Sequence, residues 1–144
     1  MIKIPSEVKY LSYAGIIPIL MGLVGSFDFN LVSDNFNNWL VEFGLLFSAL
    51  ILSFLGGCIF IFEISFNSKF NFKGILLSMF PSIWAALSLQ IPMTCFLLAI
   101  GFLATLERER YLARIIELPK WWLKMRFRLT TLIVLLLIIM GFNV

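Results

Sequence analysis

The sequence predicts an all-α integral membrane protein: one domain, residues 1–144, built as a bundle of five transmembrane helices plus an interfacial amphipathic segment. Three observations predict this. Hydrophobic residues make up 61% of the chain and charged residues 13%, with mean hydropathy +1.02; soluble domains run at about 45–50% and about 25%. The apolar residues gather into five stretches separated by polar connections. The eleven lysines and arginines occupy alternate connections only. A soluble fold of this length lacks the interior to hide so much apolar side chain, whereas lipid covers it.

The first helix is expected near 10–27, behind Lys3 and Lys9. A basic start and the phrase Val24-Gly25-Ser26 imitate a signal peptide, but the long apolar run, interrupted by Pro18, favours a retained helix. The second helix, near 43–62, is bracketed by Glu42 and Glu63 with no charge between them. On a straight helix these carboxylates lie about 31 Å apart, close to the roughly 30 Å hydrocarbon thickness. Each is therefore expected at a membrane face, in contact with water.

The third and fourth helices, near 74–89 and 92–106, are short and separated by Gln90-Ile91, with Pro92 suited to a first helical turn. Sixteen residues rise only about 24 Å, so a re-entrant hairpin is the alternative to two thin spans. Two spans are favoured because lipid-exposed loops are not tolerated within the hydrocarbon. The fifth helix, near 127–142, is rich in leucine and isoleucine and is expected to meet lipid.

The charges fix an orientation. Lys3 and Lys9 precede the first helix; Lys69 and Lys73 lie between the second and third. Arg108, Arg110, Arg114, Lys120, Lys124, Arg126 and Arg128 lie between the fourth and fifth. Those positions hold every cation of the chain, while the opposite connections carry Asp28 and Asp34. Under the positive-inside rule the amino terminus and the basic segment 107–126 face the cytoplasm or mitochondrial matrix, with the carboxyl terminus opposite. A re-entrant third and fourth pair removes two crossings and leaves this unchanged.

Within the basic segment, residues 107–118 read as the fourth helix emerging from the membrane. Leu112, Ile115 and Ile116 form an apolar stripe there, and Arg110, Arg114 and Glu117 a polar one. Pro119 then restarts the chain. Lys120, Lys124 and Arg128 share one face at i, i+4, i+8, opposite Trp121 and Met125, with Trp122 on the flank. Together with Arg126 they read as an interfacial anchor, tryptophans at headgroup depth and cations toward anionic lipid headgroups.

Small residues form ladders elsewhere. Ala49, Ser53 and Gly57, with Gly56 beside them, mark the second helix, and Gly74, Ser78, Ser82 and Ala86 mark the third. Such spacing opens a groove where another backbone can approach, which drives association when there is no water to expel. Packing of these two helices on each other is expected, with docking of another membrane protein or a second copy as the alternative. Pro18 and Pro81 lie inside helices and free the carbonyls of Ala14 and Leu77, with Ser78 and Ser82 placed to compensate. Cys58 and Cys95 fall near opposite ends of their helices and are not expected to pair. The sixteen phenylalanines are read as composition rather than as a ligand cage.

Three phrases, Gly15–Leu20 (GIIPIL), Ile51–Gly57 (ILSFLGG) and Leu118–Thr130 (LPKWWLKMRFRLT), occur in an order that resembles the membrane family catalogued as domain of unknown function 3429. The resemblance runs from about Leu11 to Leu137. It implies a bacterial cytoplasmic or mitochondrial inner membrane and no established activity. It also implies a difference, because relatives carry a His-Trp-Gly phrase after the double glycine where this chain has Cys58–Phe62.

The chain has no histidine, which removes the commonest general base and the commonest metal ligand together. No catalytic residue, metal or cofactor is expected, and the net charge of +3 reads as membrane topology rather than nucleic-acid binding. The function expected is that of a non-enzymatic accessory, assembly or scaffold component of an inner-membrane complex. The alternative is a small oligomeric transporter or channel using Glu63 and Pro81.

Overall fold

The computed structural model describes residues 3–27, 32–65 and 71–144. Asp28 and Lys69, used in the charge pattern, lie outside the described residues. The chain forms α1 (Ser6–Ala14), α2 (Ile17–Ser26), α3 (Asp34–Ser65), α4 (Phe72–Ser88), α5 (Thr94–Ile115) and α6 (Lys120–Asn143), with no strand among the described residues. Among the described residues three segments are long and apolar enough to cross a membrane: Ser6–Ser26 taken together, Asp34–Ser65 and Lys120–Asn143. α4 is apolar but has 17 residues, and α5 has 22 with its charges gathered in the second half.

The two internal prolines behave differently. Pro18 sits in the first turn of α2, and the helix breaks before it at Gly15–Ile16. There the Ile16 N–H bonds the Tyr13 carbonyl at 3.0 Å instead of continuing the α-helical pattern. Pro81 leaves α4 unbroken. Its ring is buried where Gly56 of α3 leaves room: a Cβ on Gly56 would lie 3.2 Å from Pro81 Cβ and 2.8 Å from the Ser78 carbonyl oxygen. Ser78 donates to the Ile75 carbonyl rather than to the one Pro81 frees, and Ser53 donates to Ser82 Oγ at 2.9 Å across the α3–α4 seam.

Several helices outrun their expected limits, for packing reasons. α3 begins at Asp34, two turns before Glu42, because Asn37 and Leu40 seat against α2. A Cβ on Gly25 would come within 2.6 Å of Leu40 Cβ and 2.8 Å of the Asn37 carbonyl oxygen. α5 continues to Ile115 because Leu106, Glu109 and Leu112 stay on its buried face. Pro92 lies in the turn before α5, not in its first turn, since the N–H groups of Leu89, Gln90 and Ile91 already wind the end of α4. The expected interfacial segment is not a separate element. Its first part ends α5, residues 116–119 connect, and Lys120 to Arg126 open α6, with Pro119 in an extended conformation before it.

The helices pack as a ring with neighbours α2–α3–α4–α5–α6 closing back onto α2; α3 also touches α5, and α1 rests on α6. Ile19, Leu52, Leu98, Phe102, Leu137 and Met140 fill the interior. The α2–α3 contact is backbone on backbone: a Cβ on Gly44 would lie 2.8 Å from Gly22 Cα. α6 does not face outward alone. Met125, Leu129, Ile133, Val134, Leu137 and Met140 make a buried stripe along it, with Leu132, Leu135 and Ile139 on the outer side.

Candidate functional site

At the end of the bundle where α3 finishes, α4 starts, α5 finishes and α6 starts, four ionisable side chains meet in two pairs. Glu63 of α3, its side chain 1% exposed, accepts from Arg108 of α5. Glu109, one residue on, is fully buried and accepts from Arg126 Nε of α6 at both carboxylate oxygens, 2.9 and 3.2 Å. Glu63 Oε2, Arg108 Nε, Trp122 Nε1, Arg126 Nη2 and Thr130 Oγ1 are buried with no hydrogen-bond partner among the described residues. Charges taken out of water are held only when paired, so these contacts clamp α3 to α5 and α5 to α6.

The sequence positions explain the clamps. Leu98, Phe102, Thr105, Glu109 and Leu112 recur every three or four residues and are buried along one face of α5. Trp122, Arg126, Thr130, Ile133 and Leu137 do the same on α6, with Trp122 half-buried. The two stripes face each other, so the polar pair occupies what would otherwise be core. Glu109 was not among the candidates named from sequence. Its signal was there: the apolar stripe of α5 continues past Leu106 with a carboxylate at the next register position.

Two expectations are corrected. Glu63 is not at a hydrated face. α4 starts with Gly74 pressed against it, close enough that a Cβ there would lie 2.6 Å from a carboxylate oxygen, and Arg108 supplies the opposite charge. Glu42 alone of the two is exposed. Arg126 does not share the exposed face of Lys120, Lys124 and Arg128: it is 4% exposed and turned inward, because helical geometry places it one turn from both Trp122 and Thr130. Lys120, Lys124 and Arg128 are exposed, as is Pro119, and Trp121 and Trp122 are half-buried, with Trp122 edge-on to Phe62 at 5.5 Å.

The small-residue ladders drift by one position. Ala49, Gly56, Gly74 and Ser78 are buried and Ser53 and Ser82 half-buried, whereas Gly57 and Ala86 are exposed and nothing lies within 4 Å of a Cβ built on Gly57. Steps of four turn a helix about 40° too far each time, so the third and fourth rungs leave the face; Gly56 and Ala85 take their places. Cys58 is half-buried and Cys95 buried, and both are free thiols.

A cleft of about 370 Å³ opens beside the Glu63–Arg108 pair, between α3, α4 and α5. Its walls are Ile59, Leu77, Pro81, Trp84 and Thr105, with Arg108 at the polar end, where the guanidinium lies 5.1 Å from the Tyr111 ring. Trp84 also donates to the Leu97 carbonyl at 2.7 Å, joining α4 to α5. Among the described residues no three His, Cys, Asp or Glu side chains come together to hold a metal ion.

The fold and this charge layer define a class: a small all-helical membrane protein whose buried ions are closed into pairs. The chain belongs to the family described as "Protein of unknown function (DUF3429)", whose model matches residues 4–142, nearly its whole length. No curated protein and no solved structure matches it.

Proposed function

We propose that the chain is a non-enzymatic, five-span protein of a bacterial cytoplasmic or mitochondrial inner membrane, acting as an accessory, assembly or scaffold component of a membrane complex. One observation carries this reading. The buried ionisable groups pair with one another at one end of the bundle, and the buried polar side chains of the far half, Asn37, Ser48 and Ser88, carry no charge. An ion or proton relay needs ionisable groups spaced through the membrane's depth, and among the described residues no buried one lies in that far half. Closed pairs at one end instead lock helices into a rigid surface, which is what a docking component requires.

In this reading α1–α2, α3, α4, α5 and α6 each cross once, the shorter α4 with the local bilayer thinned around it. The amino terminus and the basic end face the cytoplasm or matrix. Tags at the two termini test the threading: protease added from one side is expected to remove one tag only. Crosslinking in native membranes tests the role. The expected result is a reproducible neighbour whose complex fails to assemble when the chain is deleted. A chain that emerges alone, and whose deletion leaves every membrane complex intact, would overturn it.

The cleft touching Pro81 favours the second reading, a small oligomeric transporter. Flux through reconstituted protein that Glu63→Gln and Pro81→Ala abolish would establish it in place of the first.

A further inference from the structure

The basic end carries a second feature, separate from the buried pairs. Lys3 and Lys9 of the amino-terminal segment meet Lys124 and Arg128 of α6 around one recess of about 270 Å³, floored by Tyr13 and Met125. The four cations come from segments more than a hundred residues apart in sequence, brought together where α1 rests on α6. Ser12 Oγ approaches Met125 Sδ at 3.6 Å in the same contact. All four are exposed, and among the described residues none of them is in an ion pair. The contrast is with Arg108, Arg110 and Arg126, each of which has a carboxylate partner.

Like charges left together without counterions repel one another and favour an anion between them. The recess does not end at its polar rim. Tyr13 and Arg128 also border an adjoining groove of about 410 Å³ whose other walls are Phe127, Thr131 and Leu132, with Phe127 58% exposed. A polar recess of four positive charges opening onto an apolar groove along a membrane helix has the shape and chemistry of a lipid, headgroup above and acyl chain below. Basic pockets on the cytoplasmic or matrix side of helices recognise multiply charged headgroups in this way.

We propose that Lys3, Lys9, Lys124 and Arg128 form a site for a phospholipid whose headgroup carries two phosphates, one acyl chain lying along Tyr13, Phe127 and Leu132. Two phosphates match the number of cations better than one. The apolar groove selects a lipid over a soluble anion. The site rests on the membrane reading above but not on its orientation or on any protein partner.

Native mass spectrometry of the full-length chain in detergent, titrated with cardiolipin, phosphatidylglycerol or pyrophosphate, tests it. Cardiolipin is expected to bind at lower concentration than phosphatidylglycerol at matched phosphate, and pyrophosphate not to displace it. Near a membrane each cation is worth about fivefold in affinity, so Lys9→Gln/Arg128→Gln is expected to weaken cardiolipin about 25-fold. Arg114→Gln/Lys120→Gln removes the same charge from the same end but outside the recess, and is expected to leave binding unchanged. Because these side chains are exposed the fold is not at stake, and the single variants Lys9→Gln and Arg128→Gln are each expected to weaken binding about fivefold. Equal loss in both double variants would reduce the site to general surface charge and overturn the proposal. So would equal binding of phosphatidylglycerol, or displacement by pyrophosphate, which would make the recess a soluble-anion site. Detergent exposes both faces, so inverted terminal tags with cardiolipin still bound would overturn the orientation and leave the site standing.

Discussion

The two ends of the bundle are held by different physics. At the basic end, helices meet through Glu63–Arg108 and Glu109–Arg126, ion pairs with little water around them. At the far end they meet through glycine: Gly22 against Gly44, Gly25 against Asn37 and Leu40, and Gly141 beneath Phe96. In lipid there is no hydrophobic gain from bringing two apolar helices together, so contact must come from close backbone packing or from polar groups that need each other. This chain uses one device at each end, so damage at the two ends should read differently.

The largest effect is expected at the basic end. Glu109→Leu leaves Arg126 buried and unpaired and should cost about 3–5 kcal/mol in unfolding from detergent micelles. Replacing both partners, Glu109→Leu with Arg126→Met, should recover most of that loss; if it does not, the pair does more than satisfy itself. Glu63→Gln should cost less than Glu109→Leu, because the Arg108 side chain is 23% exposed and can reach water while Arg126, at 5%, cannot.

At the far end, Gly44→Leu should cost about 1–3 kcal/mol, since the facing Gly22 has no side chain that could move aside. No second substitution in the same pair should rescue it, which separates overpacking from the ionic case. Between the ends, Ser53→Ala removes one bond across the α3–α4 seam and should cost about 0.6 kcal/mol. Gly57→Ala should cost nothing and stabilise by up to about 1 kcal/mol, because its Cβ meets nothing and alanine is the better helix former. A large loss there would mean that the outer face of α3 is covered in the native membrane, and would mark it as a docking surface.

Most of the helices were legible in the sequence because hydropathy reports lipid exposure directly. Helix ends were less legible. Glu42 and Glu63 look alike on paper, two carboxylates bracketing an apolar run, yet one is exposed and the other sealed. What separates them is Gly74, eleven residues away and in another helix, together with Arg108. The small-residue seam between α3 and α4 was readable in kind and misplaced by one residue at Gly57 and Ala86, because a four-residue repeat runs ahead of the helix. The α2–α3 glycine contact was not read at all, since only Gly22, in the facing helix, gives Gly44 its meaning.

Composition, apolar run length and the alternation of charged connections are properties of the chain read locally, and by themselves they determined that this is a helical membrane protein with its cations in alternate connections. Which carboxylate finds which guanidinium, and which cations are left over, depended on four helix ends converging in space. That is a matter of distance rather than of order along the chain, because electrostatic energy falls off over a few ångströms and residues far apart in sequence are neighbours only once the bundle has closed.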